Sequence, residues 1–148
     1  MADHVRTQIR EKIGTTLTGL TTTGSRVYQS RVYPLESGGT PALLIYTKSE
    51  DSEPTVIGSN RLSERNLSVA VEIYVKATAN FDDTIDTSAK EIEAAIAADP
   101  TLNGLAKDCY LQSTEIEFNA EGEKPLGVAS LIFLTNYYVR EQAPDVAV

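Results

Sequence analysis

The chain has 148 residues, a formal net charge of −8, one cysteine and no tryptophan. That length is one domain's worth, able to bury a core without disulfides or metals, and the lone Cys109 excludes an intramolecular disulfide and a cysteine-based zinc site, in keeping with a reducing compartment. The acidic balance argues against a surface that grips nucleic-acid phosphates, and no run approaches the ~18 apolar residues of a membrane span, so a soluble chain without membrane attachment is expected.

The opening MADHVRTQIREK lacks the apolar run of a signal peptide. From Ala2 to about Leu20, Val5, Ile9, Ile13 and Leu17 recur every four positions, which predicts an amphipathic helix laid on a sheet, with Asp3 favouring its N-terminus. Gly14 and the threonines at 15, 16 and 18 weaken its second half. Thr21 to Ser25 is a connector whose Gly24 suits a positive φ. Arg26 to Leu35 is rich in β-formers and stops at Pro34, which suits an outer strand, and Glu36 to Thr40 is a Gly-Gly turn. Ala42 to Thr47, ALLIYT, is a continuous apolar run that reads as a strand covered on both faces.

Lys48 to Asn66 is a polar interruption containing Pro54 and Gly58, expected to be a mobile loop because it offers no burial to offset its ordering entropy. Leu67 to Ala77 then carries the organising strand. Leu67, Val69, Val71, Ile73 and Val75 alternate with Ser68, Ala70, Glu72, Tyr74 and Lys76, a period of two that fits a strand with one buried face. Each apolar side chain is worth ~1.5–3 kcal/mol on burial, so this face supplies on the order of 10 kcal/mol before chain entropy is subtracted.

The period changes over Asn80 to Ala98, where Ile85, Ala89, Ile92 and Ile96 form a helical stripe, Asp82 or Asp83 is placed to cap the start, and Asp99-Pro100 ends the element. Thr101 to Asp108 is a turn anchored by Leu102 and Leu105. Cys109 to Phe118 and Val128 to Arg140 are strands joined through the turn Asn119 to Gly127, consistent with an antiparallel hairpin. The tail from Glu141 lacks any period and is expected to fray. The expected fold is α+β, a mostly antiparallel sheet with two amphipathic helices packed on one face, in a single domain over residues 1–140 with a flexible tail at 141–148.

None of the catalytic patterns survives its simpler explanation. His4, the sole histidine, sits on the first turn of a surface helix with no acid and nucleophile near it in sequence. Asp82, Asp83 and Asp86 are explained by a helix start, and Cys109 by a small core position without a basic neighbour. Glu115 and Glu117, on one side of a strand and followed by Glu121 and Glu123, read as a solvated or partner-facing rim rather than an acid/base pair. Gly38-Gly39 lacks the helix, Lys and Ser of a phosphate loop, and the sequon Asn66-Leu67-Ser68 enters a strand. No catalytic residue, metal site or cofactor is expected. Seven tyrosines suit half-buried contact surfaces as well as ordinary strand faces.

With the order of elements in view, the sequence resembles the tail terminator (tail completion, minor tail protein U-like) proteins of long-tailed bacteriophages. The resemblance rests on LTGLTTTGSRVYQSRVYPL after the first helix, on PALLIYT, on LSVAVEIYVKA before an acidic-capped helix, and on the close TEIEFNAEGEKPLGVASLIFLTNYYVR. It covers about Val5 to Arg140 and lies in pattern and order, without a single invariant motif. It implies a non-enzymatic structural protein of the virion, assembled in the host cytoplasm as a ring of six copies at the head-proximal end of the tail tube. There it would stop tube polymerisation and present a docking face, with itself, the tail tube protein and head-completion or neck proteins as partners. DNA would pass through without specific binding, repelled by an acidic lumen. The assembly surface is expected in the polar segment, at Glu50, Asp51, Glu53, Arg61 and Arg65, and at Glu115, Glu117, Glu121 and Glu123 around the acidic turn. A neck or head-completion protein is the alternative in the same class; a small ligand-binding or hydrolytic domain using Glu115 and Glu117 is the rival from another.

Overall fold

A computed structural model of the protein describes residues 3–29, 41–76, 81–119 and 126–148. In chain order these form α1 (Val5–Leu17), β1 (Val27–Tyr28), β2 (Ala42–Pro54), β3 (Leu62–Lys76), α2 (Phe81–Ala97), β4 (Asp108–Asn119), β5 (Leu126–Arg140) and β6 (Ala143–Ala147). The sheet order is β1-β2-β3-β5-β4, with β6 paired to the end of β5. Only β1 and β2 run parallel among the described pairs. This is the expected α+β class.

The alternating strand is the middle of the sheet. Leu67, Val69, Val71, Ile73 and Val75 are buried and join one core cluster with Val5, Ile9, Ile13 and Leu17 of α1 and Phe81, Ile85, Ile92 and Ile96 of α2. Both helices therefore cover the same sheet face. Ala42, Leu44, Ala70 and Ile132, on the opposite face, are buried as well, in line with the double coverage expected for ALLIYT.

α1 ends at Leu17, a turn short of Leu20. The Thr15 and Thr18 hydroxyls turn back to the carbonyls of Glu11 and Gly14, and Thr18 is already extended. Its N-cap is His4 rather than Asp3. Gly24 takes φ +57 as expected. The expected strand Arg26 to Leu35 is represented by β1 alone, at one end of the sheet; its remainder, with Pro34 and the Gly-Gly turn, lies outside the described residues. In α2, Asp82 and Asp83 occupy the first turn, where they complement the helix dipole from inside the helix instead of capping it.

Two expectations are corrected. Lys48 to Asn66 is not a loop: β2 runs to Pro54 and β3 begins at Leu62, with pairing in register from Glu50↔Leu67 to Pro54↔Ser63 and a shift between Thr47 and Ser49. The connection shrinks to the turn 55–61, with Gly58 and Asn60 at positive φ. Residues 51–61 are exposed, so this end of the hairpin is held by ladder hydrogen bonds, and β5 pairs along the other side of β3 out to Leu62↔Arg140. The C-terminal segment is likewise paired instead of frayed. Ala143–Ala147 lies against β5, Ala147 packs on the core, and the Asp145 carbonyl accepts from Gln8.

Close packing fixes the far end of the sheet. A Cβ built on Gly127 would fall 1.6 Å from a Phe81 ring carbon, so only glycine at this β5 position lets the start of α2 lie on the sheet.

Candidate assembly surfaces

The nine residues expected to form an assembly surface do not gather in one place. β2 alternates, so Glu50 points to the helix face while Asp51 and Glu53 share the opposite face of that strand's exposed end. The Glu50 side chain is 8% exposed. It accepts hydrogen bonds from Arg6 of α1 at 2.9 Å, from Arg65 of β3 at 3.2 Å and from the Tyr137 hydroxyl of β5. Two guanidinium groups and a phenol from three elements thus converge on one carboxylate. Burial together with the bonded Glu50 pushes the Tyr137 phenol far above its ordinary value. His4 adjoins the group, with Nε2 3.5 Å from Arg65 and Nδ1 accepting the Arg6 backbone N–H at 3.1 Å. Burial, then the Arg6 charge, holds the imidazole below its usual range. Glu50 and Arg65 are therefore fastened inside the protein and tie α1 to three strands.

Asp51 and Glu53 are exposed. Asp51 is paired with Asn66, and Glu53 with Glu64, whose carboxylate accepts from the Tyr138 hydroxyl at 2.6 Å and from Asn136 at 3.3 Å. That bond to Glu64 raises the Tyr138 phenol. At the hairpin's exit Arg61 bonds Glu141 at 3.3 Å, while its backbone N–H donates to the same carboxylate at 3.1 Å. The turn itself presents Ile57, 97% exposed, beside the half-exposed Val56.

Glu115 and Glu117 stand at the other end of the sheet, exposed on β4, which has no described strand on its outer side. Ser113, Glu115 and Glu117 share the face of Ile132, Ser130 and Val128, away from the helices. Ile116, on the helix side, is half exposed. Glu121 and Glu123 lie outside the described residues. Farther along β4 a groove of about 310 Å³ opens between α2 and the strand, walled by Ile96, Ala97, Pro100, Leu111 and Phe133, with Glu93 and Tyr110 beside them.

Among the described residues no group of three His, Cys, Asp or Glu side chains is arranged to hold a metal. The Cys109 thiol is buried, bonded by Thr135 at 3.3 Å, and raised by burial. Tyr74 is pushed up to about 12 by burial and by the charge of Glu72, which also accepts its hydroxyl at 3.4 Å. Sequence reasoning missed Arg6 and Tyr137 as partners of Glu50; they lie 44 and 87 positions away, and only the fold brings them together. The spacing of Arg6 just off the apolar stripe of α1 was the one available signal.

Comparison with known proteins places these surfaces in context. The family model described as phage minor tail protein U matches residues 4–137. No curated protein matches the chain. A chain of a solved structure described as the virion of a native gene transfer agent (GTA) particle is similar over 92% of this chain and 92% of its own length, at 13% identity and a TM-score of 0.41.

Proposed function

Because this chain belongs to the phage minor tail protein U family, and is a structural tail protein of the virion, we propose that it caps the head-proximal end of the tail tube. Copies stack as a closed ring on the last tube layer, stop further polymerisation, and offer the face to which head-completion proteins dock. The family match over residues 4–137 carries the reading. A ring needs a contact whose two sides differ, repeated by rotation until it closes. Opposite flanks of different character suit that requirement: the β4 edge, with no described strand on its outer side, at one end of the sheet, and α1 with the short β1 at the other. The net charge of −8 favours passage of DNA over retention, since a negative lumen repels phosphates.

Electron microscopy of tails made without the protein tests the proposal. Tubes longer than wild type and of variable length are expected. Tails of normal length that fail to join heads would overturn it in favour of a neck or head-completion role.

A further inference from the structure

The groove between α2 and β4 has the chemistry of an arginine receptor. Ile96, Leu111 and Phe133 give an apolar floor for a methylene stem, and Glu93 on the rim offers a carboxylate to a guanidinium. Its surroundings on α2 are acidic, with Asp82 and Asp86 on the same side of the helix as Glu93, and Glu115 and Glu117 put further acid on the outer strand β4, on the face away from the helices.

The opposite flank of the molecule has the complementary character. Arg6 and Arg10 lie one turn apart on α1; Arg6 reaches Glu50 of β2, whereas Arg10 reaches Gln29 just past β1, the strand that Arg26 precedes. Arg26 is tied to the carbonyls of Pro41 and Thr22, and Arg6 to Glu50. Among the described residues Arg10 has one long bond, 3.4 Å, to the Gln29 side chain. Like charges on two β4 edges oppose the pairing of that edge with itself, so acid on this flank disfavours a symmetric dimer and favours a head-to-tail contact.

We infer that the α2–β4 groove of one copy receives Arg10 of a second copy, with the arginine stem on Ile96, Leu111 and Phe133 and its guanidinium on Glu93. The contact is heterologous: every copy gives an arginine from α1 and takes one at α2. It rests on the ring reading above and names the surfaces that close the ring.

Charge exchange tests it. Arg10→Glu and Glu93→Arg are each expected to weaken self-association of the purified full chain at least about tenfold, read by sedimentation across a concentration series, and the double variant is expected to regain most of the loss. Circular dichroism checks that all three fold. The same variants complementing a phage that lacks the protein should follow the same order in infectious yield, and this readout decides where the purified wild type sediments as a monomer. Single variants that behave as wild type, or a double variant no better than the singles, would overturn the inference. Tail length separates it from the proposed function: terminated tails with an unaffected charge pair sink this contact alone, whereas a charge pair that behaves as expected with tail length independent of the protein sinks the capping role.

Discussion

The Tyr137 hydroxyl on β5 donates to Glu50 on β2, reaching across β3, which lies between them in the sheet. The same carboxylate receives Arg6 from the helix layer and Arg65 from β3, so one side chain closes the open end of the core where apolar packing stops. Removing it leaves Arg65, a largely buried cation, without its partner.

Glu50→Ala is expected to lower unfolding free energy by about 2 kcal/mol, reduced from the full cost of breaking a buried pair because Arg6 is partly solvated. Tyr137→Phe removes one bond and should cost about 1 kcal/mol. Because the two share one bond, the double variant should cost less than the sum. Urea titrations of the four proteins give the coupling; additive losses would show that the phenol and carboxylate act independently.

Gly127→Ala should destabilise severely, by roughly 2–3 kcal/mol, since the added methyl overlaps the Phe81 ring and a backbone on either side must yield. Phe81→Leu alone should cost about 1–2 kcal/mol through lost burial. Combined with Gly127→Ala it should cost less than the two separately, because the smaller side chain leaves room for the methyl. Thermal unfolding of the single and double variants measures this, and strict additivity would place the damage elsewhere.

The alternating strand, the apolar stripes of both helices and the final hairpin were all readable because each buries one face, and burial imprints a period on sequence. The outer half of the β2–β3 hairpin escaped for the converse reason. Exposed on both faces, residues 51–54 need no alternation, and a polar ladder looks like a polar loop. β6 is too short to carry a period. Of the candidate contact residues, the exposed Asp51, Glu53, Glu115 and Glu117 were legible as rim positions. Glu50 was not legible as a buried hub: Arg6 and Tyr137 belong to elements distant in the chain, Arg65 faces it across a hairpin that read as a loop, and no local pattern marks them.

Stability should respond to pH through His4. Its imidazole is held below 6.5, its value in an unfolded chain, and it caps α1 only while Nδ1 is free to accept the Arg6 N–H. Between the folded value and 6.5 the unfolded chain binds more protons than the folded one, so stability rises with pH across that window. The contribution is complete above 6.5 and is lost as pH falls through the folded value. Protonation would also set a positive charge at a helix N-terminus beside two arginines. His4→Asn, which keeps a capping side chain without titrating, should flatten this part of the stability profile. An NMR titration of the one histidine placing it at or above 6.5 would contradict the assignment.

Ile57 separates surface function from folding. At 97% exposed on the turn 55–61 it contributes almost no burial, so Ile57→Asp should alter unfolding free energy by no more than about 0.5 kcal/mol. An isoleucine left in water beside the half-exposed Val56 is an apolar tip on a ladder-bonded arm, and an arm of this kind is suited to reaching an adjoining virion component. Infectious yield and tail length in a complemented phage should therefore fall with Ile57→Asp while Ile57→Val stays near wild type. Shortening the turn between Pro54 and Ser63, the last paired residues of the arm, should keep the fold and impair assembly in the same way. If both variants fold and yield virions at the wild-type level, the tip has no part in assembly and the contact surface must be sought on the two flanks of the sheet.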